Sequence, residues 1–552
     1  VRAKLAALLL GLGACVQPPA IDPEAGGAGE VTALAAGTIL SEAHALAGLY
    51  QVGEIRAFEF VQEGTVIGRS YGRYEGTETR GDRTLHRFAG RIELTPPASA
   101  PLRWASEVVF DGDGRLIEGH ERAPGAALEF RSKQEPAVLE LVARTGLPDS
   151  ERSVVGYEGD TAVMGYMATL HEELMLATHA LAFGDNAWRL ISLSTGRADE
   201  WSAKVEKQGN ALVVKTSLGE EIWFEQHRIV RIEVPDDKLV VRPLAHARWP
   251  EWDVEPPQPL RYAAKPDASF FIRPLELPGK PDEPILKGEV LVPDPAKHGK
   301  GPFPGIVFLA GSVSADRYGF AGPPLVDLGY HEITDALAEA GFVVIRYDEP
   351  GKGESPGAPT SWVRQRNDAR RAFRTLLVQD EVDPNRIVAI GHAEGGWRAL
   401  ALAAERPQEV VGVALLATPG RSYRELFAAA PDMLKALETG KGLPESLQPM
   451  ASWYGEILVE DPDALLFRAR VPIFLAQGGK DFEVDPTKDV AALLGSARKH
   501  KRSVEVGEYP NLDHLFKPEG GMSSQASYLE PRAVDSGFLA DLVAWVKKTT
   551  SP

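Results

Sequence analysis

The 552-residue chain has a single cysteine, Cys15. No intramolecular disulfide is possible, so the fold must be held by apolar burial. Basic residues are in deficit: 60 Lys and Arg stand against 78 Asp and Glu, a net charge of −18. That balance argues against nucleic acid as a partner and implies a self-repelling, acidic surface. After the first few residues, no apolar run is long enough to cross a bilayer as a helix. A zinc-protease helix is missing as well. His171-Glu172-Glu173-Leu174-Met175 starts like one, but no histidine follows at the required spacing and His179 lies too far on. No metal or other cofactor is expected.

What is present divides the chain. An apolar content of 44% and a charged content of 25% are ordinary for globular protein. The length calls for at least two domains. Residues 1–15 hold Arg2 and Lys4, the apolar run Leu5 to Leu12, and then Leu12-Gly13-Ala14-Cys15, the pattern of a secretory signal. The ending resembles the lipobox of bacterial lipoproteins, which implies acylation of Cys15 and a lipid anchor in the cell envelope. Val16, where retained lipoproteins carry aspartate, implies the outer membrane. Residues 16–38, rich in Pro, Gly and Ala, read as a tether. Residues 39–248 alternate in short runs such as Ala57-Phe58-Glu59-Phe60-Val61 and Ile229 to Val234. These predict an antiparallel β domain, a sheet or half-barrel, with a helical crossover near 158–182. Residues 249–269 are Pro-rich and read as a linker.

From 270 to 552 strands and helices alternate, which predicts a mostly parallel sheet with helices on both faces. A helical insertion at about 422–466 reads as a lid. The chemistry centres on Gly391-His392-Ala393-Glu394-Gly395-Gly396, set between a buried strand and an Ala/Leu-rich helix. Strand, G-x-S-x-G and helix make the nucleophile elbow of α/β-hydrolases, in which a strained turn lifts a serine out of the sheet. Here alanine occupies the nucleophile position, and a methyl group can neither attack a carbonyl nor pass a proton. The other roles keep candidates in the expected chain order. Asp481 follows the strand ending at Ala476, and His514 follows the strand ending at Gly507. The oxyanion hole needs two main-chain N–H groups, for which Glu394 and Ser312 are the candidates. Gly351-Lys352-Gly353-Glu354-Ser355 echoes a phosphate loop but lacks its spacing.

Together, Ala310 to Arg317, Arg346 to Ser355, the elbow, Gly478 to Val484 and Leu512 to Phe516 resemble a bacterial α/β-hydrolase family of esterase and peptidase-like enzymes. The resemblance covers about residues 270–548. It departs at Ala393, at Ala310, Val313 and Ser314, and at Pro350, where that family tends to have arginine. It implies a carboxylic-ester hydrolase ancestry and a small-molecule ester or an acyl- or peptide-like ligand. Three accounts of Ala393 stand open: a ligand-binding pseudo-hydrolase, an active esterase whose serine was replaced to trap a ligand or misread in the gene sequence, or a nucleophile moved elsewhere, with Ser312 first in line. In a further reading, the β domain is an interaction module of the envelope.

Overall fold

The computed structural model describes residues 50–551 except 96–100, 112–114, 124–125, 145–150, 159–160, 165–172, 174–187, 193–198, 218, 226–227, 236–237, 256–259, 282, 312–314, 322–325, 358–360, 429 and 442–449. Cys15 and the tether, His171, His179, most of the crossover and Ser312 therefore lie outside the described residues. The chain divides between Pro259 and Leu260 into two compact units.

The first unit is one large β-sheet. Its strands run as an antiparallel meander from Ile55–Gln62 to Glu151–Gly156, and a second series runs from Thr161–Met164 to Leu239–Pro243. The two series join where Ile55–Gln62 pairs antiparallel with Leu239–Pro243, leaving Glu151–Gly156 and Thr161–Met164 at the edges. One pair is parallel, Thr161–Met164 with Trp188–Ser192, and a parallel neighbour requires a crossover connection. The alternation noted in the sequence has a physical outcome. Along Arg228–Val234, Ile229, Ile232 and Val234 are buried, with a bulge between Trp223 and Phe224 on the neighbouring strand. The stretch expected as a linker is docked on this unit at its start. Trp249 stacks under the guanidinium of Arg73 at 4.2 Å, and Asp253 accepts from Arg122 at 3.2 Å.

Among the described residues, the main sheet of the second unit holds eight strands: β1 (Phe270–Leu277), β2 (Leu286–Pro293), β3 (Phe303–Leu309), β4 (Val343–Tyr347), β5 (Val382–His392), β6 (Val410–Leu416), β7 (Ile473–Gly478) and β8 (Val504–Tyr509). They lie in the order β1-β2-β4-β3-β5-β6-β7-β8. The pairs β1/β2 and β2/β4 are antiparallel, and every pair from β4 to β8 is parallel. Eight of its helices matter below: α1 (Tyr330–Glu339), α2 (Trp362–Leu377), α3 (Gly395–Glu405), α4 (Pro431–Thr439), α5 (Ala451–Ile457), α6 (Pro462–Arg468), α7 (Lys488–Lys499) and α8 (Ser536–Thr550).

The central strands are apolar on both faces because both faces are covered. Val307, Ile345, Ile387 and Ala389 point to a layer built from α2, α3 and α7. Their neighbours Ile306, Val344, Val388 and Ile390 point to α1 and α8. Two of these helices, α2 and α8, start at side-chain caps: Ser361 accepts from Arg364 N at 3.3 Å, and Asp535 from Phe538 N at 2.9 Å. The insertion expected at 422–466 contains α4, α5 and α6 between β6 and β7, and α6 sends Leu465 and Leu466 into the core.

Candidate active site

The strand ends of a parallel sheet converge on one edge, and Ala393, Glu394, Asp481 and His514 lie there. Ala393 follows β5 with φ at +49°. An L-residue in this left-handed conformation costs on the order of 1–2 kcal/mol, so the chain keeps a strained turn that an ordinary strand-to-helix connection would relax. The glycines explain how the turn fits. A Cβ at Gly391 would collide with the Gly395 main chain, one at Gly395 with the Leu309 carbonyl, and one at Gly396 with the Thr418 hydroxyl. Ala393 N–H donates to Leu416 O of β6 at 2.9 Å, which ties the turn to the neighbouring strand. Two more non-glycine residues with positive φ, Ala417 and Phe516, follow β6 and lie in the His514 loop, so backbone strain gathers at this edge.

His514 and Asp481 are brought together. His514 Nδ1 lies 2.9 Å from Asp481 Oδ2, and both side chains are buried. Asp481 is held by four donors: Gln477 Nε2 at 2.8 Å, the main-chain N–H groups of Glu483 at 2.8 Å and Val484 at 2.9 Å, and His514 itself. Burial alone would raise its pKa, but His514 and these donors outweigh it and hold the carboxyl below its usual range. Burial likewise pushes His514 down, and Asp481, Glu483 and Glu394 outweigh it, leaving the imidazole raised to about 10. The loop that carries His514 is pinned by Asp513. Its Oδ1 accepts from Leu515 N and Lys517 N at 2.9 Å each, and its Oδ2 accepts from Arg532 at 2.8 Å.

The remaining nitrogen is the informative one. His514 Nε2 is buried and has no hydrogen-bond partner among the described residues. Glu483 Oε2 stands 3.7 Å from it, too far for a hydrogen bond, and Tyr528 OH donates to the other Glu483 oxygen at 2.6 Å. In a serine hydrolase this nitrogen takes the proton of the nucleophile. Here the residue at the elbow offers only a methyl group.

His392, which the sequence reading passed over, sits between elbow and histidine loop. Its ring packs against that of His514 with centroids 4.6 Å apart, and its Nε2 lies 2.9 Å from the His514 carbonyl. Burial and the neighbouring His514 depress its pKa to about 3, so it is neutral at physiological pH. Its place inside the glycine frame was the available signal. Of the two oxyanion candidates, Glu394 opens α3, with its carboxylate accepting from Tyr423 OH. The preceding part of the other loop can be placed: a Cβ on Gly311 would lie 3.2 Å from the Ala393 Cβ, so this loop abuts the elbow. The phosphate-loop look-alike is a turn around Asp348, which accepts from Arg317 and from Glu354 N at 2.9 Å. Asp327, His331 and Glu332 cluster within 4.8 Å of one another. These groups are already engaged, His331 with Asp327 at 3.1 Å and Glu332 with Val534 N at 3.2 Å.

Residues 328–449 match the family model described as "Serine aminopeptidase, S33". The second unit has the α/β-hydrolase fold. Esterase EstD of Thermotoga maritima is 24% identical over 283 residues, 48% of this chain and 66% of its own length. An uncharacterised Mycobacterium tuberculosis protein is 28% identical over 183 residues, 33% of this chain and 57% of its own length. The chain therefore spans between about half and two thirds of these curated relatives. Among solved structures, the Pyrococcus furiosus esterase Pf2001 is similar with a TM-score of 0.38 at 18% identity, over 53% of this chain and 96% of that one. The residues that match the family model include the elbow, which carries alanine at position 393.

Proposed function

We propose that the second unit is a carboxylic-ester hydrolase site one oxygen short of turnover, and that it binds ester- or acyl-like ligands without cleaving them. The observation that carries this is His514 Nε2, buried and without a partner among the described residues beside a strained Ala393, while the Asp481–His514 pair is intact. The pair can orient and charge the imidazole. The main-chain N–H groups after the elbow can stabilise a developing oxyanion. The attacking oxygen is missing at the elbow. Short p-nitrophenyl esters should raise the melting temperature of the unmodified chain without releasing p-nitrophenolate. Release at rates typical of enzymes would overturn the reading and make Ser312 the first residue to replace.

We further propose that Cys15 is acylated and that the protein is held at the bacterial envelope by that anchor. Each buried CH₂ of an acyl chain contributes about 0.8 kcal/mol, so two or more chains anchor stably. Wild-type protein should fractionate with membranes, and Cys15→Ser should move it to the soluble fraction. A soluble wild type would refute this.

A further inference from the structure

The peptide unit between Ala310 and Gly311 has both polar ends held by buried side chains. Its carbonyl accepts from Arg398 Nη2, and its N–H donates to Tyr330 OH at 3.4 Å. Each holder leads further. Arg398, 1% exposed, also pairs with Glu349 Oε1. Glu349 Oε2 accepts from Gln365 Nε2 at 2.7 Å, and Gln365 Oε1 accepts from the Trp453 indole at 2.8 Å. Trp453 belongs to α5 of the inserted helices. On the other side, Tyr330 OH lies 3.1 Å from His392 Nδ1, and His392 Nε2 lies 2.9 Å from the His514 carbonyl.

The direction of donation is fixed along both chains. A carbonyl only accepts, so His392 Nε2 carries the proton. A neutral imidazole then has a bare Nδ1, to which Tyr330 donates, leaving the Tyr330 oxygen to accept from Gly311. From the other end, an indole only donates, which sets the Gln365 amide with its oxygen toward Trp453 and its nitrogen toward Glu349. Arg398 then serves the carboxylate and the Ala310 carbonyl at once. No member can rotate without unpairing a neighbour, and water has little access to replace a lost partner.

We propose that the Ala310–Gly311 peptide is a coupling point through which the inserted helices and the His514 loop together set the oxyanion loop, with Arg398 and Tyr330 as its positioning residues. Naming the loop after the oxyanion rests on the hydrolase reading above; the coupling does not. A shift of α5 that withdraws the Trp453 indole frees the Gln365 amide and loosens the carboxylate that aligns Arg398. The Ala310 carbonyl then loses its fixed direction, and with it the loop that abuts Ala393.

The test uses the full chain and reads amide hydrogen exchange at Gly311, which needs no turnover. Trp453→Phe deletes one N–H four links from the Ala310 carbonyl, through Gln365, Glu349 and Arg398. It should speed exchange at Gly311 by roughly fivefold or more. Gln365→Leu should do the same, and should keep the test decisive if Trp453→Phe folds poorly. The double variant should add little to either, because both cut one chain. Phe467→Ala, a half-exposed change on α6 outside the chain, should leave Gly311 unmoved. If either network variant folds but alters exchange only in α5 and α2, with Gly311 within about twofold of wild type, the coupling is wrong. Speeding by Phe467→Ala equal to that of the network variants would also overturn it, since general loosening would then be the cause.

Discussion

Ala393→Ser adds one oxygen at a position whose backbone is already in the nucleophile conformation, with φ at +49°. The magnitude follows from two terms. Loss of a triad serine costs on the order of 10⁶ in kcat, so that is the ceiling on what the substitution can restore. The second term is the protonation of His514. The general base must be neutral, and with its pKa raised to about 10 only about one molecule in 10³ has it so at pH 7. The variant should therefore hydrolyse p-nitrophenyl butyrate on the order of 10³ faster than the unmodified chain at pH 7. The rate should climb roughly tenfold per pH unit toward pH 10. Adding His514→Ala should erase the gain, while Glu483→Gln, which removes one of the charges that raise the base, should shift the profile to lower pH. A flat pH profile, or a gain that survives His514→Ala, would refute the assignment of His514 as the base.

The other expectations are structural. Ala393→Gly relieves the positive φ and should stabilise the unit by up to about 1 kcal/mol, read as a small rise in melting temperature; a fall would mean the turn is not strained. Gly395→Ala drives a Cβ into the Leu309 carbonyl, a main-chain group that cannot swing aside, and should cost at least about 1–3 kcal/mol. His392, depressed to about 3 in the folded state, takes up a proton on unfolding. The unfolded chain thus binds more protons, so its contribution to stability is full above about pH 6.5 and is lost as pH falls toward 3. Histidine-specific ¹⁵N spectra should show His392 neutral, protonated on Nε2, down to about pH 4. His514 has the opposite sign: its contribution is full below about pH 6.5 and is lost as pH rises through about 10.

How much of this was legible in the sequence depends on the range over which each feature is encoded. The elbow is local: Gly391, Ala393, Gly395 and Gly396 are spaced by steric need within six residues, and the structure shows each glycine filled by a neighbouring main chain or side chain. Asp481 and His514 were found by chain order and by their places after strands, which the fold converts directly into proximity. The alternating β and α texture from Phe270 onward gave the doubly covered sheet, because strands buried on both faces must be apolar throughout. The pairing of Ile55–Gln62 with Leu239–Pro243 was not legible, since nothing local joins residues so far apart.

The support of the site was illegible for the same reason, and its character explains why. Arg398 looks like an ordinary polar residue on an Ala/Leu-rich helix, where exposure would be the default. Its partners are Glu349, 49 residues earlier, and the Ala310 carbonyl, 88 residues earlier. A buried guanidinium is tolerable only where a carboxylate and a carbonyl already wait, and those come from the ends of β4 and β3. Gln365 and Trp453 read as surface and core residues of separate helices, yet they complete the same chain. The chemistry-bearing residues are thus encoded locally, while what orients them is encoded in tertiary contacts. That division also bears on Ala393. A chain that had merely lost its serine would gain stability by relaxing the turn and discarding a buried imidazole nitrogen that has no partner among the described residues. This one keeps both, together with the hydrogen-bond chains that aim the oxyanion loop. On the proposed reading, such retention would serve ligand binding.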